Sequence, residues 1–100
     1  MYYLYILYSS SSELFYVGHS DDPFRRVVEH NTSEHNTFTS KHRPWELMAV
    51  YQCGENRNQA MAVEKLIKKQ KSRNLIRKLI DGQELTGELA QLVRVPHVRD

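Results

Sequence analysis

Seven aromatic or aliphatic residues follow one another near the start of the chain, Tyr2-Tyr3-Leu4-Tyr5-Ile6-Leu7-Tyr8, with no glycine, proline or charge among them. A run of that kind predicts a central strand covered on both faces. Ser9 to Ser12 reads as a turn, and Glu13-Leu14-Phe15-Tyr16-Val17-Gly18 as the returning strand. A four-residue turn at Ser9–Ser12 sets Tyr8 opposite Glu13, Leu7 opposite Leu14 and Tyr5 opposite Tyr16. Tyr3, Tyr5, Tyr16 and Gly18 then share one side of the hairpin, while Leu4, Ile6, Phe15 and Val17 line the other. Two tyrosines on one side are accounted for by cross-strand packing alone.

The period then turns helical. Asp21 or Asp22 can cap a helix from about Asp22 to Asn31, with Pro23 suited to its first turn and Arg25 and Glu29 paired on its flank. Thr32 to Pro44 is polar and reads as a long loop, of the kind that is functional or mobile in a compact domain. Pro44 to Tyr51 is the third strand, with Trp45 packing at its start. Asn56 and Gln59 form a capping box for a helix reaching about Gln70, whose apolar stripe is Ala60, Val63, Leu66 and Ile67. Ser72 caps a last helix that turns Leu75, Ile76, Leu79 and Ile80 inward and stops at Gly82. Glu88–Val95 reads as a short helix or an edge strand, and Pro96 to Asp100 as a loose tail. The order is β-β-α-β-α-α, with a domain over residues 1–82 and a C-terminal extension over residues 83–100.

Composition narrows the class. One hundred residues, 40% hydrophobic and 26% charged, make one ordinary globular domain with a modest core. The formal charge of +2 is too small to point to nucleic acid, but it is unevenly spread. Residues 1–60 carry five Lys/Arg against seven Asp/Glu, whereas residues 65–78 carry seven Lys/Arg and no acid. Such a block can track a phosphate backbone, or simply be a solvated helical face. The lone Cys53 cannot form an internal disulfide and is a poor nucleophile candidate, so a reducing, cytoplasmic setting is expected. Nothing resembles a signal peptide or a membrane span. His19, His30, His35, His42 and His97 show no zinc spacing, and one cysteine offers no ligand pair.

The stretch from Phe15 to His30 concentrates the chemistry. It reads as a strand end, a bare glycine and a capped helix. Gly18 lets an anionic group approach the backbone, and the helix N-terminus after it favours negative charge. Arg26 and His30 stand one turn apart on one helix face. A tyrosine, a glycine, an arginine and a histidine converging there suit a phosphate better than a core. His19, beside Gly18, is either a plain surface histidine or a further candidate phosphate contact. Lys41, His42 and Arg43 either touch a phosphate backbone or are merely solvated. Glu64 lies beside its helix's apolar stripe, and taken alone it is accounted for by an ion pair with Lys68.

Taken in order, these residues resemble the GIY-YIG nuclease superfamily, most closely its small stand-alone bacterial members. Leu4-Tyr5-Ile6 stands where the family has its first triplet, with Leu4 in place of glycine, and Tyr16-Val17-Gly18 stands at the second. Arg26 matches the family's arginine, His30 a frequent histidine, and Glu64 in Ala62-Val63-Glu64-Lys65 the metal-binding glutamate. The match runs from Tyr2 to about Ile80. The resemblance implies an α+β fold, a small sandwich with a central three-stranded, mainly antiparallel sheet flanked by helices. It implies a metal-dependent DNA endonuclease using Mg²⁺ or Mn²⁺ and one-step water attack, with a structure-specific role in DNA repair or recombination as a further expectation. Glu64 would hold the ion and Arg26 would stabilise developing charge. Tyr5, Tyr16 or His30 would handle the water's proton, and which of the three is the base stays open. Gly18, His19, Lys41, Arg43, Lys68, Lys69 and Lys71 would meet DNA, with no membrane and no small-molecule cofactor beyond the metal. A catalytically weak binding module and a protein-interaction domain remain the alternatives. On the nuclease reading, Tyr5, Tyr16, Arg26, His30 and Glu64 line one groove.

Overall fold

The aromatic run forms β1 (Tyr2–Ser9), which lies between β2 (Leu14–Ser20) and β3 (Trp45–Gly54), antiparallel to both. In the computed structural model, which describes residues 1–34 and 38–96, Leu4, Ile6 and Leu7 are fully buried and Tyr5 is 1% exposed. An all-apolar strand needs cover on both faces, and this one has it.

Among the described residues the expected three strands are four. β4 (Val93–Arg94) pairs with Tyr51 and Gln52 at the far edge of β3, giving the order β2-β1-β3-β4. Leu89 and Leu92 are buried in the same core as Leu79, and they anchor this late segment against the free edge of β3. Val95 extends the contact by donating its N–H to the Val50 carbonyl at 2.8 Å. Glu88–Val95 thus holds both forms, the end of a 3-10 turn (Gly87–Gln91) and then an edge strand. The predicted tail from His97 and the loop residue His35 lie outside the described residues.

The hairpin register also differs from the expected one. Tyr5 faces Gly18, Leu7 faces Tyr16, and Ser9 faces Leu14. Ser9 stays in the strand, fully buried, and Glu13 joins the turn at φ 53, so the four turn residues are Ser10 to Glu13. The slip is two residues, and side chains alternate with a period of two, so each face keeps its assigned residues.

Among the described residues three α-helices flank the sheet: α1 (Pro23–Thr32), α2 (Arg57–Gln70) and α3 (Arg73–Asp81). Their starts are fixed by side chains that satisfy otherwise orphan N–H groups. Asp22 accepts from Arg25 N, and Ser72 from Leu75 N. Asn56 and Gln59 close the capping box in both directions. Gly82 ends α3 in the left-handed region at φ 70.

Two apolar clusters lie on opposite faces of the sheet. Leu4, Ile6, Val17 and Ala49 pack under Val63 and Ile67 of α2 and Leu79 of α3. Tyr5, Leu7, Trp45 and Val50 pack on the other face, with Val27 of α1 against them. Because β2 is an edge strand, groups from α1 and α2 can meet around it. Among the described residues, no helix is long and apolar enough to cross a membrane.

Candidate active site

At the C-terminal end of β2 a cleft of about 520 Å³ opens, lined among others by Tyr5, Tyr16, Gly18, His19, Arg26 and Glu64. Tyr5 comes from β1, Tyr16 and Gly18 from β2, Arg26 from α1 and Glu64 from α2. The two helices cover opposite sheet faces, yet both side chains reach the one cleft. Gly18 has a more specific reason to be glycine than access for an anion. A Cβ there would lie 2.6 Å from the Tyr5 hydroxyl oxygen and 2.7 Å from Cζ, so the missing side chain is the room that Tyr5 occupies.

His30 is the fifth expected site residue, and it stands behind the cleft wall. It is 5% exposed, with Nε2 2.9 Å from the Tyr5 hydroxyl and its ring 5.0 Å from that of Tyr16. Burial pulls its pKa down to about 4, and the nearby Arg26 charge acts the same way, so the ring is neutral at pH 7. Burial, reinforced by Tyr16, pushes the Tyr5 phenol well above the usual tyrosine range, and Arg26 opposes that shift. Arg26 itself is held firmly protonated, chiefly by its 2.6 Å hydrogen bond to Glu29. Arg25 keeps the expected ion pair with Glu29 at 3.9 Å and also donates to Asp21 at 3.2 Å.

The opposite wall is a short polar chain. Lys68 Nζ lies 3.1 Å from Glu64 Oε2 and 5.6 Å over the Tyr16 ring, crossing the edge of β2. His19 Nδ1 lies 2.9 Å from Glu64 Oε1, and Arg57 Nε donates to His19 Nε2 at 3.4 Å. The plain Glu64–Lys68 ion pair and the placement of Glu64 on the cleft therefore coexist. Among the described residues, no group of three or more His, Cys, Asp or Glu could hold a metal ion. A single carboxylate facing an open cleft fits a hard cation that keeps several waters, such as Mg²⁺ or Mn²⁺, and does not fit a closed zinc cage.

The other sequence candidates are dispersed. Arg43 donates to the carbonyls of His30 and Ser33, satisfying the end of α1, and neither it nor Lys41 is a lining residue of the cleft. Lys71, at φ 48, ends α2 and with Lys68 borders a second, apolar groove along β2. Lys69 is exposed. Half-buried Cys53 has its thiol pushed up to about 11 by burial, which leaves it unreactive as a nucleophile. Sequence reasoning missed Arg57 and Asp21 as cleft residues. Arg57 has no local signal beyond following a cap, since its place depends on how α2 docks against β2.

The model of one protein family, the GIY-YIG catalytic domain, matches residues 1–78. No curated protein matches the chain.

Proposed function

The chain belongs to the GIY-YIG catalytic domain family, a nuclease-type fold, and on that premise we propose that it is a divalent-metal-dependent DNA endonuclease. The observation that carries the proposal is the meeting of Tyr5, Tyr16, Arg26 and Glu64, from four elements, on one cleft. The reaction is one-step hydrolysis, in which a water oxygen bonds to phosphorus as the P–O ester bond breaks.

Glu64 is the residue to hold the cation, which when bound supplies Lewis-acid neutralisation of phosphate charge. Arg26 faces the phosphate from the α1 side. Glu29 holds its Nη1, and its remaining N–H donors match phosphate oxygens. Tyr16 orients the attacking water. The Tyr5 hydroxyl, fixed 2.9 Å from His30 Nε2, accepts the hydrogen bond of the attacking water and so lies on the path by which that water's proton leaves for the departing ester oxygen. Lys68 and Arg57 draw the DNA backbone into the cleft.

A binding module with little catalysis is the second reading. It is favoured by one observation, that both Glu64 oxygens already have protein partners. Assaying plasmid, flaps, forks, junctions and single strands with Mg²⁺ or Mn²⁺ separates the two. Cleavage by wild type, falling about 10²–10³-fold in Arg26→Ala, supports the endonuclease. Salt-sensitive binding without cleavage supports the module. Preference for branched substrates would place it in repair or recombination.

A further inference from the structure

Among the described residues lining the cleft, His19 is the one imidazole, and the reaction above leaves it without a role. It follows Gly18 on β2 but leaves the strand on the α2 side, where its Nδ1 stands 2.9 Å from Glu64 Oε1. Both side chains are largely covered, at 15% and 22% exposure. Two neighbouring ligands of an octahedral cation, each about 2.1 Å from it, stand about 3.0 Å apart. Nδ1 and Oε1 stand 2.9 Å apart as a hydrogen-bonded pair, so the two donors sit side by side at the cleft, and a turn of the imidazole brings both to face one ion. Lys68 holds the other carboxylate oxygen at 3.1 Å, which fixes Oε1 as the atom turned toward the imidazole.

We propose that His19 is the second protein donor of the cation site, its Nδ1 ligating the same ion as Glu64 Oε1. This rests on the reading of Glu64 as the cation-binding carboxylate. A nitrogen and an oxygen donor together shift preference away from Mg²⁺ and toward Co²⁺ and Ni²⁺, with Mn²⁺ in between, because imidazole suits the later first-row ions. The proton can be followed. Arg57 donates to Nε2, so as the side chains stand Nδ1 carries the ring proton and gives it to Oε1. On ligation that proton leaves Nδ1 for solvent and Nε2 takes one up, which ends the Arg57 contact. Arg57 is exposed on the first residue of α2, and its guanidinium is then released toward an anion in the cleft.

Electron spin-echo envelope modulation on the full chain loaded with Mn²⁺ tests this without reference to activity. Wild type is expected to show modulation from a directly bound ¹⁴N, lost in His19→Gln. Titration should show Mn²⁺ affinity falling about tenfold or more in that variant, with Mg²⁺ affinity changing far less. Glu64→Gln should weaken both ions. Mn²⁺ that binds wild type in a Glu64-dependent way with no ¹⁴N modulation overturns the role of His19 and leaves that of Glu64 standing. Mn²⁺ binding indifferent to Glu64→Gln overturns the cation site itself, and His19 with it. The wild-type spectrum needs no variant to fold.

Discussion

The Tyr5 hydroxyl and Nε2 of His30 stand 2.9 Å apart with both side chains almost wholly removed from water. Two neutral groups in that setting satisfy each other, and charging either one disturbs the pair. The arrangement ties the stability of the fold to the protonation of a residue at its candidate site.

Acid should therefore weaken the protein through His30. Its folded pKa is about 4, below the ordinary value of 6.5. Between those values the unfolded chain binds a proton that the folded one refuses. Stability from this group is complete above about pH 6.5 and falls as pH drops toward 4, by roughly 3 kcal/mol at most. Denaturant unfolding at pH 7.5, 5.5 and 4.5 should show a shallower pH dependence in His30→Gln than in wild type. Equal slopes would mean the imidazole is not held neutral.

Tyr5→Phe removes the partner of His30 Nε2 and should cost about 1–3 kcal/mol of stability. On the proposed proton path it should also slow cleavage about 10²–10⁴-fold. Single-turnover rates measured well below the melting temperature separate the two effects. A rate close to wild type would exclude Tyr5 from the proton path.

Gly18→Ala brings a methyl group to within 2.6 Å of the Tyr5 hydroxyl oxygen, and the buried ring has little room to yield. A loss of about 1–3 kcal/mol is expected, with cleavage falling further than the stability loss explains. Calorimetry and activity on the same preparation check this. An unperturbed variant would show that the close approach of Tyr5 to β2 does not constrain the site.

The late segment is expected to be part of the fold. Leu89→Ala and Leu92→Ala each empty a position in the cluster that holds Leu4, Ile6 and Leu79, and should cost about 2–5 kcal/mol. Urea unfolding measures it. Costs below about 0.5 kcal/mol would mark residues 83–100 as an appendage.

The parts of this fold that the sequence makes legible are those set by local chemistry. Asp22, Asn56 and Ser72 cap helices because their side chains accept from N–H groups three residues on. The all-apolar β1 reads as central because it has no polar face. The register was not legible, because one buried serine and one left-handed glutamate, Ser9 and Glu13, decide where the turn falls. β4 was not legible either, since two residues carry no period and Leu92 finds its place only against a finished core. At the site, Tyr5, Tyr16, Arg26 and Glu64 were readable as an ordered set. The contacts of His19 and Arg57 arise where α2 meets the end of β2, and no spacing within either element encodes that meeting.

The central claim is that Glu64 brings a divalent cation to a phosphodiester beside Arg26 and the two tyrosines. The most direct measurement compares wild type with Glu64→Gln for cleavage of labelled DNA at saturating Mg²⁺ or Mn²⁺, with DNA affinity read in parallel. The account predicts cleavage by wild type, background rates in the variant, and affinity for DNA largely retained. A variant that cuts at the wild-type rate, or a wild type that leaves every substrate intact with either ion, would contradict it.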